Sequence, residues 1–153
     1  MTAALLVFGW GNPSRGDDAL GPLFVERFEE LNLPDVECLT DFQLQVEHAL
    51  DLAGRKQILF VDASIDVAAP FAVTPIGPLK DASFSTHAMS PQAVLEVYRE
   101  LTEEEPPPAG LLAIRGERFE LGEPLSEAAA DHLDAAVAWA ANWARDQSAQ
   151  IRM

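Results

Sequence analysis

Two segments, AALLVF (Ala3 to Phe8) and QILFVDAS (Gln57 to Ser64), are short and carry continuous apolar runs, the second over Ile58 to Val61. A strand with one solvated face alternates between apolar and polar residues. A run that does not alternate reads as a strand covered on both faces, so these two call for a sheet with a layer on each side. The first run ends at Gly9 and leads through a loop to Leu20, Leu23, Phe24, Arg27, Phe28 and Leu31. That spacing is helical, with Asp17 and Asp18 at the N-terminal turn where the helix dipole favours acids.

The pattern of strand, loop and helix continues along the chain. DVECL (Asp35 to Leu39) reads as a second strand, and TDFQLQVEHALDLAG as a helix capped by Asp41 and stopped by Gly54. FAVTPI follows QILFVDAS too closely for a helical crossover and is expected to run antiparallel. SPQAVLEVYRELTEEEPPP opens with Ser90 as N-cap and Pro91 in the first turn, then stops at three prolines. GLLAIRG is a fifth strand, and LSEAAADHLDAAVAWAANWARDQ a long last helix capped by Ser126. The expected fold is a three-layer α/β sandwich around a mostly parallel five-stranded sheet with one antiparallel strand, in a single domain over residues 1–153.

Charge and cysteine usage narrow the function classes. Lys and Arg number 10 against 25 Asp and Glu, a net charge of −15 that repels phosphate backbones and argues against a nucleic-acid partner. The single cysteine, Cys38, excludes an intrachain disulfide and a Cys-based zinc site. It reads as a small hydrophobe in a strand. No stretch approaches the roughly 20 apolar residues of a membrane span, and MTAALLVFGWG lacks a basic leader region. The expectation is a soluble, cytoplasmic protein.

Ligands of parallel α/β sheets gather at the carboxyl ends of the strands. There the sequence places Asp17 and Asp18 after the first strand, Asp62 at the end of QILFVDAS, and His87 in SFSTHAMSP. Carboxylates and an imidazole from separate loops make a ligand set suited to a divalent metal such as zinc or nickel. Each also has an ordinary structural role open to it: helix-start acids for Asp17 and Asp18, a turn cap for Asp62, a solvated loop for His87. His48 and His132 lie among charged neighbours in helical patterns and are expected at the surface. The tryptophans Trp139 and Trp143, four apart on the last helix, read as core or as a minor interface stripe. No G-x-S-x-G elbow exposes a serine. In FGWGNPSRGDDALG the glycines Gly9 and Gly11 lack the third glycine of a dinucleotide loop, and Pro13 removes an N–H that a phosphate would use. A cation, or a partner bearing one, suits this acidic loop better.

GWGNPSRGDDALG after a first strand, FVDAS ending a later one and STHAMSP before a helix together resemble the hydrogenase maturation proteases. The order runs through nearly the whole chain, including GLLAIRG and the capped last helix. The resemblance implies a phosphorylase/hydrolase-like fold and an endopeptidase that removes the C-terminal extension of a nickel–iron hydrogenase large-subunit precursor after nickel insertion. It implies nickel that arrives with the substrate, other divalent metals standing in for it. The family's two acids and one histidine that sense this metal fall on Asp18, Asp62 and His87. Gly9, Gly11 and Asn12 shape the loop, and Asp17 and Asp18 are the catalytic candidates, Asp17 as a base or as a group orienting its neighbour. The first acid is often Glu in the family, so Asp18 is one methylene shorter. Some members carry the histidine after the Ser-Pro step, where this chain has Gln92; His87 follows the THxM pattern of others. TDFQLQ stands where the family frequently has a glycine-rich loop, which suggests a subgroup with its own substrate, such as the NAD-linked bidirectional hydrogenases. Two other readings stand beside this one. The first is a docking module that holds a metalloprotein precursor without cutting it. The second is a peptidyl-tRNA hydrolase, whose family shares G-x-G-N-P but continues with T-R-H-N where this chain has SRGDDALG.

Overall fold

The computed structural model describes residues 2–80 and 89–152. Strands β1 (Leu5–Trp10), β2 (Val36–Asp41), β3 (Gln57–Ser64), β4 (Phe71–Ile76) and β5 (Ala109–Arg115) form one sheet in the order β2-β1-β3-β5-β4. β1 lies parallel to both β2 and β3, and β3 parallel to β5. β4 runs antiparallel to β5, as the short connection after QILFVDAS predicts. Helices α1 (Leu20–Glu30), α2 (Pro91–Thr102) and α3 (Glu127–Ile151) cover the faces with a 3₁₀ helix over Val46–Leu52.

All six residues of β1 are buried, which is why its sequence shows no polar alternation. Leu5 and Val7 enter a core shared with Phe24 and Phe28 of α1 and Leu133, Ala136 and Ala140 of α3. Leu6, Phe8 and Trp10 enter the opposite core with Leu52, Val94, Leu95 and Tyr98. This division is the two-residue period of a strand read on both faces. Phe24 and Phe28, fully buried and stacked at 5.3 Å between ring centres, each contribute about 2–3 kcal/mol from area removed from water. α2 and α3 start where their caps predict. The Ser90 hydroxyl accepts from the Ala93 N–H at 3.0 Å and the Ser126 hydroxyl from the Ala129 N–H at 3.2 Å. Trp139 and Trp143 are half-buried against the first core and stack on one another at 6.4 Å, with Trp139 also 6.2 Å from Phe71.

The structure departs from the sequence expectations in four places. β1 runs on through Gly9 and Trp10, because Trp10 pairs with Asp41 in the β1–β2 ladder. Asp41 therefore belongs to β2 rather than capping a helix, and the expected helix over 41–54 shrinks to the 3₁₀ helix, opened by Gln45. His48, expected at the surface, is buried: its Nδ1 accepts from the Gln45 N–H at 2.8 Å, which leaves Nε2–H to donate to Asp41 Oδ2 at 3.2 Å. Phe8 packs edge-on against its ring at 4.6 Å. His132 is half-buried, with Nδ1–H donating to the Arg115 carbonyl at 2.8 Å. Cys38 is a half-buried free thiol; burial, with the charges of Glu29 and Glu37, pushes it up to about 12 and keeps it protonated and unreactive.

Candidate functional site at the β1 and β3 ends

After β2 the chain crosses β1 to enter β3, so strand order reverses between β1 and β3. Such a switch point opens a crevice at the carboxyl ends of the two strands. Asp18, in the 3₁₀ turn Gly16–Ala19 after β1, and Asp62, near the end of β3, flank it.

The loop between β1 and α1 is held by its own polar groups. The Gly11 N–H donates to the Asp41 carbonyl at 3.1 Å and extends the β1–β2 ladder by one bond. The Asn12 N–H donates to Asp18 Oδ2 at 2.7 Å, while Asn12 Oδ1 accepts from the Ser14 N–H at 2.8 Å and closes an Asx turn. Asn12 thus fixes both the loop and one oxygen of Asp18. Gly9 allows α1 to lie directly on β1: a Cβ there would stand 2.5 Å from the Gly21 carbonyl oxygen. Beside the loop, Gly11, Pro13, Pro22, Thr40, Asp41 and Phe42 line a groove of about 230 Å³, with Phe42 69% exposed at its edge. This groove can accept an apolar side chain next to the acids.

Asp62 is half-buried, and its carboxyl is raised to about 7, first by burial and further by the negative charge of Asp18, against a lowering hydrogen bond from the Ala63 N–H. Two carboxylates that repel one another across a crevice favour a cation between them. His87 lies outside the described residues. Among the described residues no group of three or more His, Cys, Asp and Glu side chains assembles a metal centre.

Asp17 points elsewhere. Its side chain is fully buried, and four donors take its oxygens: Ser126 N–H on Oδ1 at 2.8 Å, and Glu117 N–H at 2.7 Å, Arg118 N–H at 3.1 Å and Ser126 Oγ–H at 2.7 Å on Oδ2. Burial alone would raise it, but these hydrogen bonds outweigh that and hold the carboxyl below its ordinary value. A saturated, enclosed carboxylate is a poor general base, so the expectation of Asp17 as base gives way to a holding role. The sequence marks Ser126 and Asp41 only as helix caps. Nothing local marks Ser126 as a partner of Asp17, since the two stand 109 positions apart.

The charge relation of Asp62 gives a stability prediction for the metal-free protein. A carboxyl whose folded value is raised to about 7 from 3.8 contributes stability that is complete below about pH 4 and is lost as pH rises through 7. Asp62→Asn mimics the neutral form and escapes that loss. Urea unfolding at pH 8 should show the variant more stable by about 2–3 kcal/mol, after discounting for partial exposure, with the difference closing toward pH 4. Equal stabilities at pH 8 would contradict the raised carboxyl.

No family sequence model and no curated protein sequence matches the chain. Solved structures do. The [NiFe] hydrogenase maturation protease HycI from Thermococcus kodakarensis KOD1 superposes with a TM-score of 0.73 at 26% identity, over 94% of this chain and 93% of that one. The hydrogenase maturating endopeptidase HybD from E. coli gives the same 0.73, 26%, 94% and 93%. This chain is a homologue of the hydrogenase maturation proteases. A hydrogenase 2 maturation peptidase from Thaumarchaeota archaeon SCGC_AB-539-E09 shares the maturation-protease fold at 22% identity and a TM-score of 0.61, over 89% of this chain and 94% of that one. Within the maturation-protease fold, the five-stranded sheet and its β1/β3 crevice are what bring Asp18 and Asp62 together. Among the described residues, no helix is long and apolar enough to cross a membrane.

Proposed function

We propose that this chain is an endopeptidase of the aspartic type that removes the C-terminal extension of a nickel–iron hydrogenase large-subunit precursor once nickel has been inserted. The observation that carries this reading is the pair Asp18 and Asp62 at the β1/β3 crevice of a fold shared with HycI and HybD. In this reading nickel arrives with the substrate. Asp18 and Asp62, joined by His87, read it and align the scissile segment. Asp62, near neutrality in its titration, holds a proton while the crevice is empty of cations and gives it up as divalent charge approaches. The released Asp62 carboxylate then faces the incoming metal beside Asp18, and hydrolysis of the scissile bond by water requires no serine or cysteine nucleophile. The net charge of −15 suits capture of a metal-bearing protein and opposes nucleic acid. The site of action is the cytoplasm, in keeping with one unpaired cysteine.

The test is the intact mass of a nickel-loaded precursor before and after incubation with this protein, with nickel-free precursor alongside. Loss of a C-terminal peptide from the loaded form alone is the expected result. A stable complex with unchanged mass would transfer the reading to a docking module that does not cut.

A further inference from the structure

We propose that Asp17 is a positioning residue that holds Asp18 at the crevice by clamping the first loop to the segment between β5 and α3. The clamp is built from both chain segments. Three backbone bonds join them: Gly122 N–H to the Ser14 carbonyl at 2.7 Å, Gly16 N–H to the Glu123 carbonyl at 3.0 Å and Asp17 N–H to the Arg118 carbonyl at 2.6 Å. The Asp17 carboxylate adds the four bonds from Glu117, Arg118 and Ser126. Three of the four fall on Oδ2 and one on Oδ1, so both oxygens are engaged.

Adjacent residues in a tight turn send their side chains apart. Asp17 is buried against the 117–126 segment and Asp18 turns back to the Asn12 N–H. Fixing Asp17 therefore fixes the rotation of the turn, and with it the direction of the Asp18 carboxylate. An Asn at position 17 that keeps its oxygen in the place of Oδ2 sets its amide NH2 against the Ser126 N–H, donor facing donor, in a place closed to water. The turn then loses its register on this 117–126 strap, and Asp18 its bond to Asn12.

The experiment reads the Asn12 amide, which reports on Asp18 and touches none of the Asp17 partners. In Asp17→Asn, at a temperature where circular dichroism shows a folded chain, hydrogen exchange at Asn12 should accelerate at least about ten-fold while amides of β3 keep their protection. Cleavage of nickel-loaded precursor, an arm that rests on the proposed endopeptidase reading, should fall by a similar factor. Ser126→Ala removes one donor of the four and should give a smaller change in the same direction. If Asp17→Asn does not fold, Ser126→Ala decides. A residue serving only stability would lower the unfolding midpoint yet leave Asn12 exchange and turnover at parental values in the folded protein, and that result overturns the proposal. Should the parent cleave no precursor, the endopeptidase reading fails on its own account, and Asn12 exchange alone still decides whether Asp17 positions Asp18.

Discussion

Asp18→Asn is expected to lower kcat/KM for nickel-loaded precursor by two to three orders of magnitude, roughly 3–4 kcal/mol of transition-state stabilisation. The fold should barely notice. The Asn side-chain oxygen can still accept the Asn12 N–H that Asp18 holds at 2.7 Å, and Asp18 is only half-buried, so unfolding free energy should stay within about 1 kcal/mol. What the amide cannot supply is the second negative charge facing Asp62. Losing it should also let Asp62 titrate lower, since the Asp18 charge is one cause of its rise. Intact-mass time courses and thermal melts on one preparation separate the two effects. Parental turnover in a folded Asp18→Asn protein would remove this carboxylate from the reaction.

Gly11→Ala should be the most damaging single methyl in the first loop, destabilising the protein by about 3 kcal/mol or more and leaving little soluble chain. Gly11 sits at φ +149°, and a Cβ there would overlap the backbone carbonyl of Asp18. The added methyl meets backbone that cannot swing aside, and relief requires moving the turn that bears both Asp17 and Asp18. Gly122→Ala is the informative comparison. It also has positive φ, at +88°, but nothing lies within 4 Å of the added carbon. It should lose only about 1 kcal/mol of conformational preference. Chemical denaturation of the two variants checks the ranking; equal losses would mean that backbone preference, not collision, governs the loop.

How much of this was legible in the sequence depends on how local each feature is. β3 spans QILFVDAS, the segment read as a strand, and β4 is antiparallel because the connection before it is too short to cross. α2 and α3 announce themselves through Ser90, Pro91 and Ser126. β1 extends two residues further than expected because a glycine inside it reads as a loop, and only the packing of Gly21 above shows why a strand would keep one there. The helix expected after β2 fails for a similar reason: Asp41 has cap chemistry, but its place opposite Trp10 in the ladder wins. The adjacent acids were the hardest to separate. In sequence Asp17 and Asp18 are equivalent, and what parts them is a set of donors 100 to 109 residues downstream.

That separation has a consequence for how the chain is made. The strap residues that fill the Asp17 carboxylate lie 100, 101 and 109 positions after it. At translation speeds of about 5–20 residues per second, roughly 5 to 20 seconds pass between synthesis of the first loop and that of its last partner. During that interval β1 and α1 can collapse together, but the turn carrying Asp18 has no clamp. The crevice edge is finished only when the start of α3 has been made, so an unfinished chain holds its acidic loop without the partners that fix it.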